Sequence, residues 1–387
     1  MTRVGRGMID FARQFMPALA AASEVVQASG GLAGRRVGVA LTLEPKTACL
    51  VEAIAAAGAE VAVLGNDYST KTDVVAALGD AGHFVTRQVD AFIDVGLEYL
   101  ADDGAGVTRR LHDERRDRLG ELQGVAEETT SGVRPLRNMA AAGVLAVPCV
   151  AVNDARTKLL FDNVYGTGQS VVMAVLDATN MQMAGAGVVV VGYGRVGRGI
   201  ALMARGLGAR VTVTEVDPVA ALAAHHDGLD VAPLAKAVTT ADFVFTASGI
   251  GHTLTATHVA AMPDGAIVAV GGMGRPEFDP GADLAAGEEI RPHVRALAVP
   301  DGPTVFVVAG GRCANTTAGE GNPIEVMDLS LALQLRALDY LATTELAAGV
   351  HLLPSAIDDE VAASQLLAAG IAIDEPSEEQ QRWVASW

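Results

Sequence analysis

Four consecutive valines, Val188–Val191, run straight into Gly192-Tyr193-Gly194-Arg195-Val196-Gly197, and no other stretch of the chain restricts its fold so strongly. An unbroken β-branched run reads as a strand buried on both faces, the habit of parallel sheets flanked by helices. The glycines after it let the backbone turn tightly and approach a pyrophosphate, which sits on the free N–H groups of the helix that follows. GxGxxG alone is a weak signal. Here a second strand-like run, Arg210–Thr214, ends in Glu215 about 20 residues on, as a dinucleotide-binding βαβ unit requires. A carboxylate there accepts from both ribose hydroxyls and repels a 2′-phosphate, which favours NAD over NADP. Gly192, Gly194, Arg195, Val196, Gly197 and Glu215 are therefore read as cofactor contacts, together with Thr246 at the end of a further strand, Phe243–Thr246.

The rest of the chain repeats this alternation. Arg36–Leu41, Thr47–Ala57 and Glu60–Leu64 predict strand, helix, strand, and Ala91–Ile93 and Leu145–Val152 predict buried strands with a helix at Arg134–Ala142 between them. After a helix at Ser170–Met181, the pieces Gly187–Val191, Arg198–Arg205, Arg210–Thr214, Phe243–Thr246, Ala266–Val270 and Val305–Val308 alternate at doubly wound spacing. A long helix is predicted over Val326–Ala348, then a strand at Val350–Leu353 and a polar arm. A chain of 387 residues exceeds one ordinary core. The expectation is an α/β protein of two doubly wound domains, one of them a Rossmann domain. Residues 1–165 with 326–370 form a discontinuous substrate domain, 166–325 the NAD domain, and 371–387 a short C-terminal arm.

A formal net charge of -18 without a dense Lys/Arg cluster disfavours nucleic acid and anionic membrane as partners and leaves a small molecule. Cys49, Cys149 and Cys313 form no CxxC pair and read as reduced core thiols of a cytoplasmic protein. Met1–Val26, broken by Asp10 and Arg13, predicts an amphipathic helix and no signal peptide. Val144–Val152 is too short to span a bilayer. No metal-ligand spacing is present, and His225-His226 reads as a polar helix surface.

Other blocks carry a resemblance. Glu127-Glu128-Thr129-Thr130-Ser131-Gly132-Val133, then Val152-Asn153-Asp154, then Thr157-Lys158-Leu159-Leu160-Phe161-Asp162-Asn163-Val164-Tyr165-Gly166, and Thr214-Glu215-Val216-Asp217-Pro218 after the second strand, resemble the S-adenosylhomocysteine hydrolase family. The likeness runs from Gly5-Arg6 to Gly349-Val350-His351. It implies a homo-oligomeric enzyme, dimer or tetramer, in which bound NAD oxidises a ribose 3′-hydroxyl and acidifies C4′. The 5′ thioether is then eliminated, water adds and the hydride returns. The resemblance gives Lys158 as the base for the hydroxyl proton, Asp162 and Glu128 as the carboxylates holding the ribose hydroxyls, and Asn163 beside the nicotinamide. Thr129, Thr130, Ser131 and Asn315 correspond to NAD contacts. Lysine acts as a base only if burial or a cation lowers its pKa, which is the expectation for Lys158.

The groups that would move protons around C4′ and C5′ are replaced. Alignment places Thr42, Met273 and Asn322 at family histidines, Gly106 at an aspartate and Thr167 at a cysteine, and none of these replacements exchanges a proton near neutral pH. Lys46 falls where a carboxylate reads adenine's amino group, an expected reversal of charge. Glu44 and Met327 are also read as substrate contacts, as is Glu320, in a loop that borders the substrate, with a new acid or base as its alternative role. His252 and His258 flank a loop near the expected nicotinamide, and His252 reads as an ordinary loop histidine with a stand-in for a lost acid as the alternative. The family's C-terminal Lys/Tyr tail has no counterpart before Trp387, so the cofactor is expected to be held less tightly. The expected activity is NAD-dependent oxidation of a 3′-type hydroxyl on a nucleoside-like substrate, leading to dehydrogenation, epimerisation or a non-standard elimination. The alternatives are a working S-adenosylhomocysteine hydrolase and a silent NAD-binding regulator.

Overall fold

A computed structural model describes residues 2–272, 276–281 and 287–387. Its strands in chain order are β1 (Arg36–Ala40), β2 (Glu60–Leu64), β3 (Phe84–Thr86), β4 (Tyr99–Asp102), β5 (Gly124–Glu127), β6 (Pro148–Ala151), β7 (Gly187–Val191), β8 (Arg210–Thr214), β9 (Asp230–Val231) and β10 (Phe243–Thr246). They continue as β11 (Leu254–Thr255), β12 (Ile267–Val270), β13 (Phe278–Asp279), β14 (Glu288–Arg291), β15 (Val294–Ala298), β16 (Thr304–Val308) and β17 (Gly349–Leu352). Seven strands form one parallel sheet in the order β17-β6-β5-β4-β1-β2-β3, and eight form a second in the order β14-β15-β16-β12-β10-β7-β8-β9. Among the described residues, only the hairpin of β14 and β15, and its junction with β16, is antiparallel.

Each sheet contains the doubly wound order 3-2-1-4-5-6, once as β3-β2-β1-β4-β5-β6 and once as β9-β8-β7-β10-β12-β16. In such a sheet the crossover direction reverses between the first and fourth strands, which leaves a crevice beyond their carboxyl ends. The two reversal points are β1/β4 and β7/β10.

The helices differ from the expectation in instructive places. The N-terminal stretch is two helices, Thr2–Gln14 and Pro17–Ser29, since Pro17 is disfavoured inside a helix but suits its first turn. The second helix begins after Met16, which has no capping oxygen. Asp328, far along the chain, accepts from the backbone N–H groups of Ala18 at 2.9 Å and Leu19 at 2.7 Å instead. Ala91–Ile93, predicted as a strand, lies in the helix Val89–Ile93 with Phe92 and Ile93 buried. A three-residue apolar run carries no period to tell strand from helix. The strands actually present there, β3, β4 and β5, are three or four residues long. The long helix spans Ile324–Thr343, ending five residues earlier than predicted, and buries Leu329, Leu331, Leu333, Leu335 and Leu338. Arm residues Glu378–Ala385 form a helix with no buried residue. No described helix is long and apolar enough to cross a membrane, and no described cluster of His, Cys, Asp or Glu could hold a metal ion.

Candidate active site

The two sheet reversal points face each other across a cleft of about 460 Å³. Thr42 and Asp103, just beyond β1 and β4, line one side, and Gly194, Arg195, Val196, Ala247 and Ser248, beyond β7 and β10, line the other. Two glycines of the turn, Gly192 and Gly197, are needed as glycines. Gly192 adopts a φ of 96°, and a Cβ on it would meet Ala247 O at 2.8 Å. A Cβ on Gly197 would lie 1.9 Å from Gly192 O. Gly199, one turn into the helix Arg195–Gly206, lets that helix touch the backbone of Val164, whose oxygen lies 2.0 Å from the position of an added Cβ. This close approach sets the cofactor turn against the segment bearing Lys158.

That segment, Lys158–Gly166, is a π-helix. In an α-helix, residues i and i+5 point about 140° apart, whereas the wider π-turn brings i+4 and i+5 to either side of i. Lys158, Asp162 and Asn163 consequently share the cleft-facing side. The Lys158 Nζ lies 2.6 Å from Asp162 Oδ2 and donates to Asn163 Oδ1 at 3.1 Å, and all three residues are buried. Asp358 accepts from the backbone N–H groups of Arg156 and Thr157, at 2.7 and 3.3 Å, and ties down the start of the segment. Glu128, at the end of β5, joins the cluster with Ser330 Oγ donating to its Oε1 at 3.0 Å.

The electrostatics correct one expectation. Burial by itself lowers the Lys158 ammonium, but Asp162, Glu128 and Asp103 outweigh it and raise the group above the ordinary lysine value. The expected depressed lysine is therefore absent, and the spare proton of the cluster rests on Lys158. Burial pushes Glu128 up to about 7 against the opposing charge of Lys158. Asp103, raised by burial and by Glu128, is the group in this cleft that the sequence reading passed over. Its signal was an acidic pair, Asp102-Asp103, followed by glycine at the end of a strand, mirrored by Glu127-Glu128 on the neighbouring strand; the register pairs Asp102 with Glu127.

The cleft gathers most of the other residues singled out above. Thr129, Thr130, Ser131, Thr167, Asn315, Asn322, Glu44 and Met327 all line it, as do Cys313 and Arg134, whose guanidinium reaches across to Gly249 O at 3.0 Å. The Ser131 hydroxyl is buried with no partner, and a Cβ on Gly194 would meet nothing within 4 Å. An orphaned hydroxyl beside an open, glycine-walled helix start fits a dinucleotide. The Glu215 carboxylate stands outside the cleft lining and accepts from the backbone N–H groups of Tyr193, Val216 and Asp217 at 2.9, 2.6 and 3.0 Å. Thr246 is buried at the end of β10, also outside the lining.

Several candidates fall elsewhere. Gly106 borders a second, adjoining cavity with Arg109 and Arg312 and does not meet the cluster. Glu320 points outward, 77% exposed, and pairs with Lys71 Nζ at 2.8 Å, so its carboxylate is no acid or base for the cleft. His252, 72% exposed, pairs with Asp279 at 2.6 Å and cannot replace a lost acid inside. His258 caps its own helix with Thr255. Lys46 does not reverse the local charge: it lies buried behind the cleft lining, its Nζ 2.7 Å from Glu44 Oε2 and donating to Glu320 O at 3.0 Å, so that it neutralises the Glu44 carboxylate of the wall. Met273 lies outside the described residues.

Comparison with known proteins agrees with this geometry. The family model described as S-adenosyl-L-homocysteine hydrolase matches residues 1–92, and the one described as its NAD binding domain matches residues 163–321. The chain is 42% identical over 404 aligned positions to an adenosylhomocysteinase of Thermotoga maritima, covering 99% of both chains. It belongs to the S-adenosyl-L-homocysteine hydrolase family. An S-inosyl-L-homocysteine hydrolase of Methanopyrus kandleri is likewise 42% identical, over 99% of this chain and 95% of that one, and one of Methanosarcina acetivorans is 41% identical over 99% and 97%. The family is one of NAD-dependent enzymes acting on small molecules, and NAD is the cofactor that its matched domain binds. Since Gly197 cannot accept a Cβ without moving the turn, Gly197→Ala is expected to weaken NAD binding on the order of 100-fold, from about 3 kcal/mol of overpacking. Titration of cofactor-stripped protein with NAD checks this, and an unchanged Kd would show that the turn does not hold the pyrophosphate.

Proposed function

We propose that this protein cleaves the 5′ thioether of an S-nucleosyl-L-homocysteine, using its NAD to oxidise the ribose 3′-hydroxyl transiently. Residues 1–165 with 326–370 would form the nucleoside-binding unit and 166–325 the cofactor unit. The observation that carries this reading is the buried cluster of Lys158, Asp162, Asn163 and Glu128 at the point where the two sheet reversals face each other. Bound NAD supplies a hydride acceptor and, in its oxidised ring, a cation. Asp162 and Glu128 accept hydrogen bonds from the ribose hydroxyls. Lys158 Nζ receives the 3′-hydroxyl proton once a cation nearby lowers it or the proton it already holds passes to Glu128. Asp103, which with Glu44 supplies the carboxyls on the Thr42 side, would exchange the C4′ proton, since Glu44 is already paired with Lys46.

One specific observation favours a second reading, in which chemistry stops short of hydrolysis. Thr42 and Asn322, which stand at family histidines of the proton path, both line the cleft, and neither exchanges a proton. Mixing the NAD-loaded protein with S-adenosyl- and S-inosyl-L-homocysteine separates the two. Free thiol with transient NADH absorbance supports hydrolysis; stable NADH without thiol supports oxidation alone; neither signal defeats both.

For the base, the Glu44–Lys46 pair offers an acceptor beside a donor, and two relatives act by name on S-inosyl-L-homocysteine. A 6-oxopurine matches it with N1–H toward the carboxylate and O6 toward the ammonium. Lys46→Met is expected to reduce kcat/KM for the inosyl thioether on the order of 30-fold and for the adenosyl thioether far less, the worth of one charge-assisted hydrogen bond. An equal loss for both would reject the assignment.

A further inference from the structure

All four hydrogen-bonding positions of the Asn322 side chain are occupied. Its Nδ2 donates to Asp162 and, at 3.1 Å, to Thr167 Oγ1. Its Oδ1 accepts from Ser170 Oγ at 2.8 Å and from Asn315 Nδ2 at 2.9 Å. A primary amide has two donors and two acceptor lone pairs, so this environment uses an asparagine completely. A carboxylate could not donate to Asp162, and an imidazole could not donate twice and accept twice. The partners come from separate segments. Asp162 sits on the π-helix with Lys158, Thr167 and Ser170 on the helix Thr167–Thr179, and Asn315 on the short helix Ala314–Thr317. Residues 152–186 carry the chain from the first sheet to the second, and residues 309–323 carry it back. Asn322 is thus the hydrogen-bonded junction of both crossings.

We propose that Asn322 is a positioning residue that fixes the Asp162 carboxylate toward the substrate's 3′-hydroxyl and links it to Asn315 on the cofactor side. The proposal rests on the reading of the cleft as a ribose site. Asp162 needs such a brace because Lys158 occupies its Oδ2, and without Asn322 the carboxylate could turn wholly onto the ammonium. Asn322 also holds Asn315 and Thr167, which line the same cleft, so that loosening it frees both sides together.

The test measures equilibrium binding of inosine and adenosine, and of their 3′-deoxy counterparts, to protein loaded with NADH, which cannot oxidise a ligand during the titration. Wild type is expected to bind each nucleoside 10- to 100-fold more tightly than its 3′-deoxy form, the usual worth of a hydrogen bond to a charged group. Asn322→Asp, nearly the same size, sets a carboxylate against Asp162 and reduces this ratio to about 3-fold or less. Asn322→His, with one donor, restores part of it. A residue serving the fold alone would weaken both ligands equally and leave the ratio unmoved, so an unchanged ratio in Asn322→Asp overturns the proposal while the ribose reading stands. If wild type itself shows no 3′ preference, the ribose reading falls and the proposal with it.

Discussion

Lys158→Met is expected to slow the first appearance of NADH on mixing with an S-nucleosyl-L-homocysteine by about 1,000-fold, within the span that a positioned general acid or base contributes. Methionine fills similar volume and leaves the glycine turn, Thr129 and Ser131 untouched, so bound NAD should stay near wild-type content. The substitution also strands Asp162, whose Oδ2 lies 2.6 Å from the lost ammonium, and Glu128 beside it. Removing one member of a buried pair destabilises by about 3–5 kcal/mol when the other stays charged, but here either carboxyl can take up a proton instead. The variant should therefore fold, melt lower, and melt progressively lower still as pH rises. Stopped-flow absorbance against NAD content measured on the same sample checks the claim. A rate within tenfold of wild type at full NAD content would remove Lys158 from the proton path.

Glu128→Gln should act in opposite directions on stability and activity. Burial raises the Glu128 carboxyl from 4.5 to about 7. Between those two values the folded protein binds more protons than the unfolded chain, so stability falls as pH rises through this window and levels off above 7. That rise corresponds to roughly 3 kcal/mol at pH 8. Glutamine has no such penalty. The variant and wild type should melt alike near pH 5 and diverge toward pH 8, with the variant the more stable by several degrees. Glu44, Asp102, Asp103 and Glu127 are raised in the same sense, so the wild-type protein itself should be most stable on the acid side of neutrality. Activity should drop on the order of 100-fold, because an amide replaces a carboxylate that accepts from a ribose hydroxyl and balances Lys158. Parallel melting curves from pH 5 to pH 8 would show that burial does not raise the proton affinity of Glu128.

Both predictions concern residues visible in the sequence, and the reason is local. The run Val188–Val191 followed by GxGxxG determines a strand, a turn and a helix through backbone sterics within ten residues, and Glu215 lies one βαβ unit further on. Lys158, Asp162 and Asn163 were legible as a block, although their spacing alone reads as a surface ion pair on an ordinary helix. The π-turn that puts Asn163 on the same side is invisible in the letters, because one extra residue per turn leaves no mark in the residue spacing.

What the chain alone determined, then, is its alternation of strands and helices, its glycine turn and its cofactor, all set by short-range sterics and hydrophobic period. Which charges share the cleft was decided by tertiary structure. Asp103 meets Glu128 only because β4 and β5 pair in register, and Glu320 is excluded only because its loop turns it toward Lys71. Charge and proton affinity depend on distances of a few ångströms between residues far apart in sequence, and those distances come into being only when strands pair in register and loops pack across the fold.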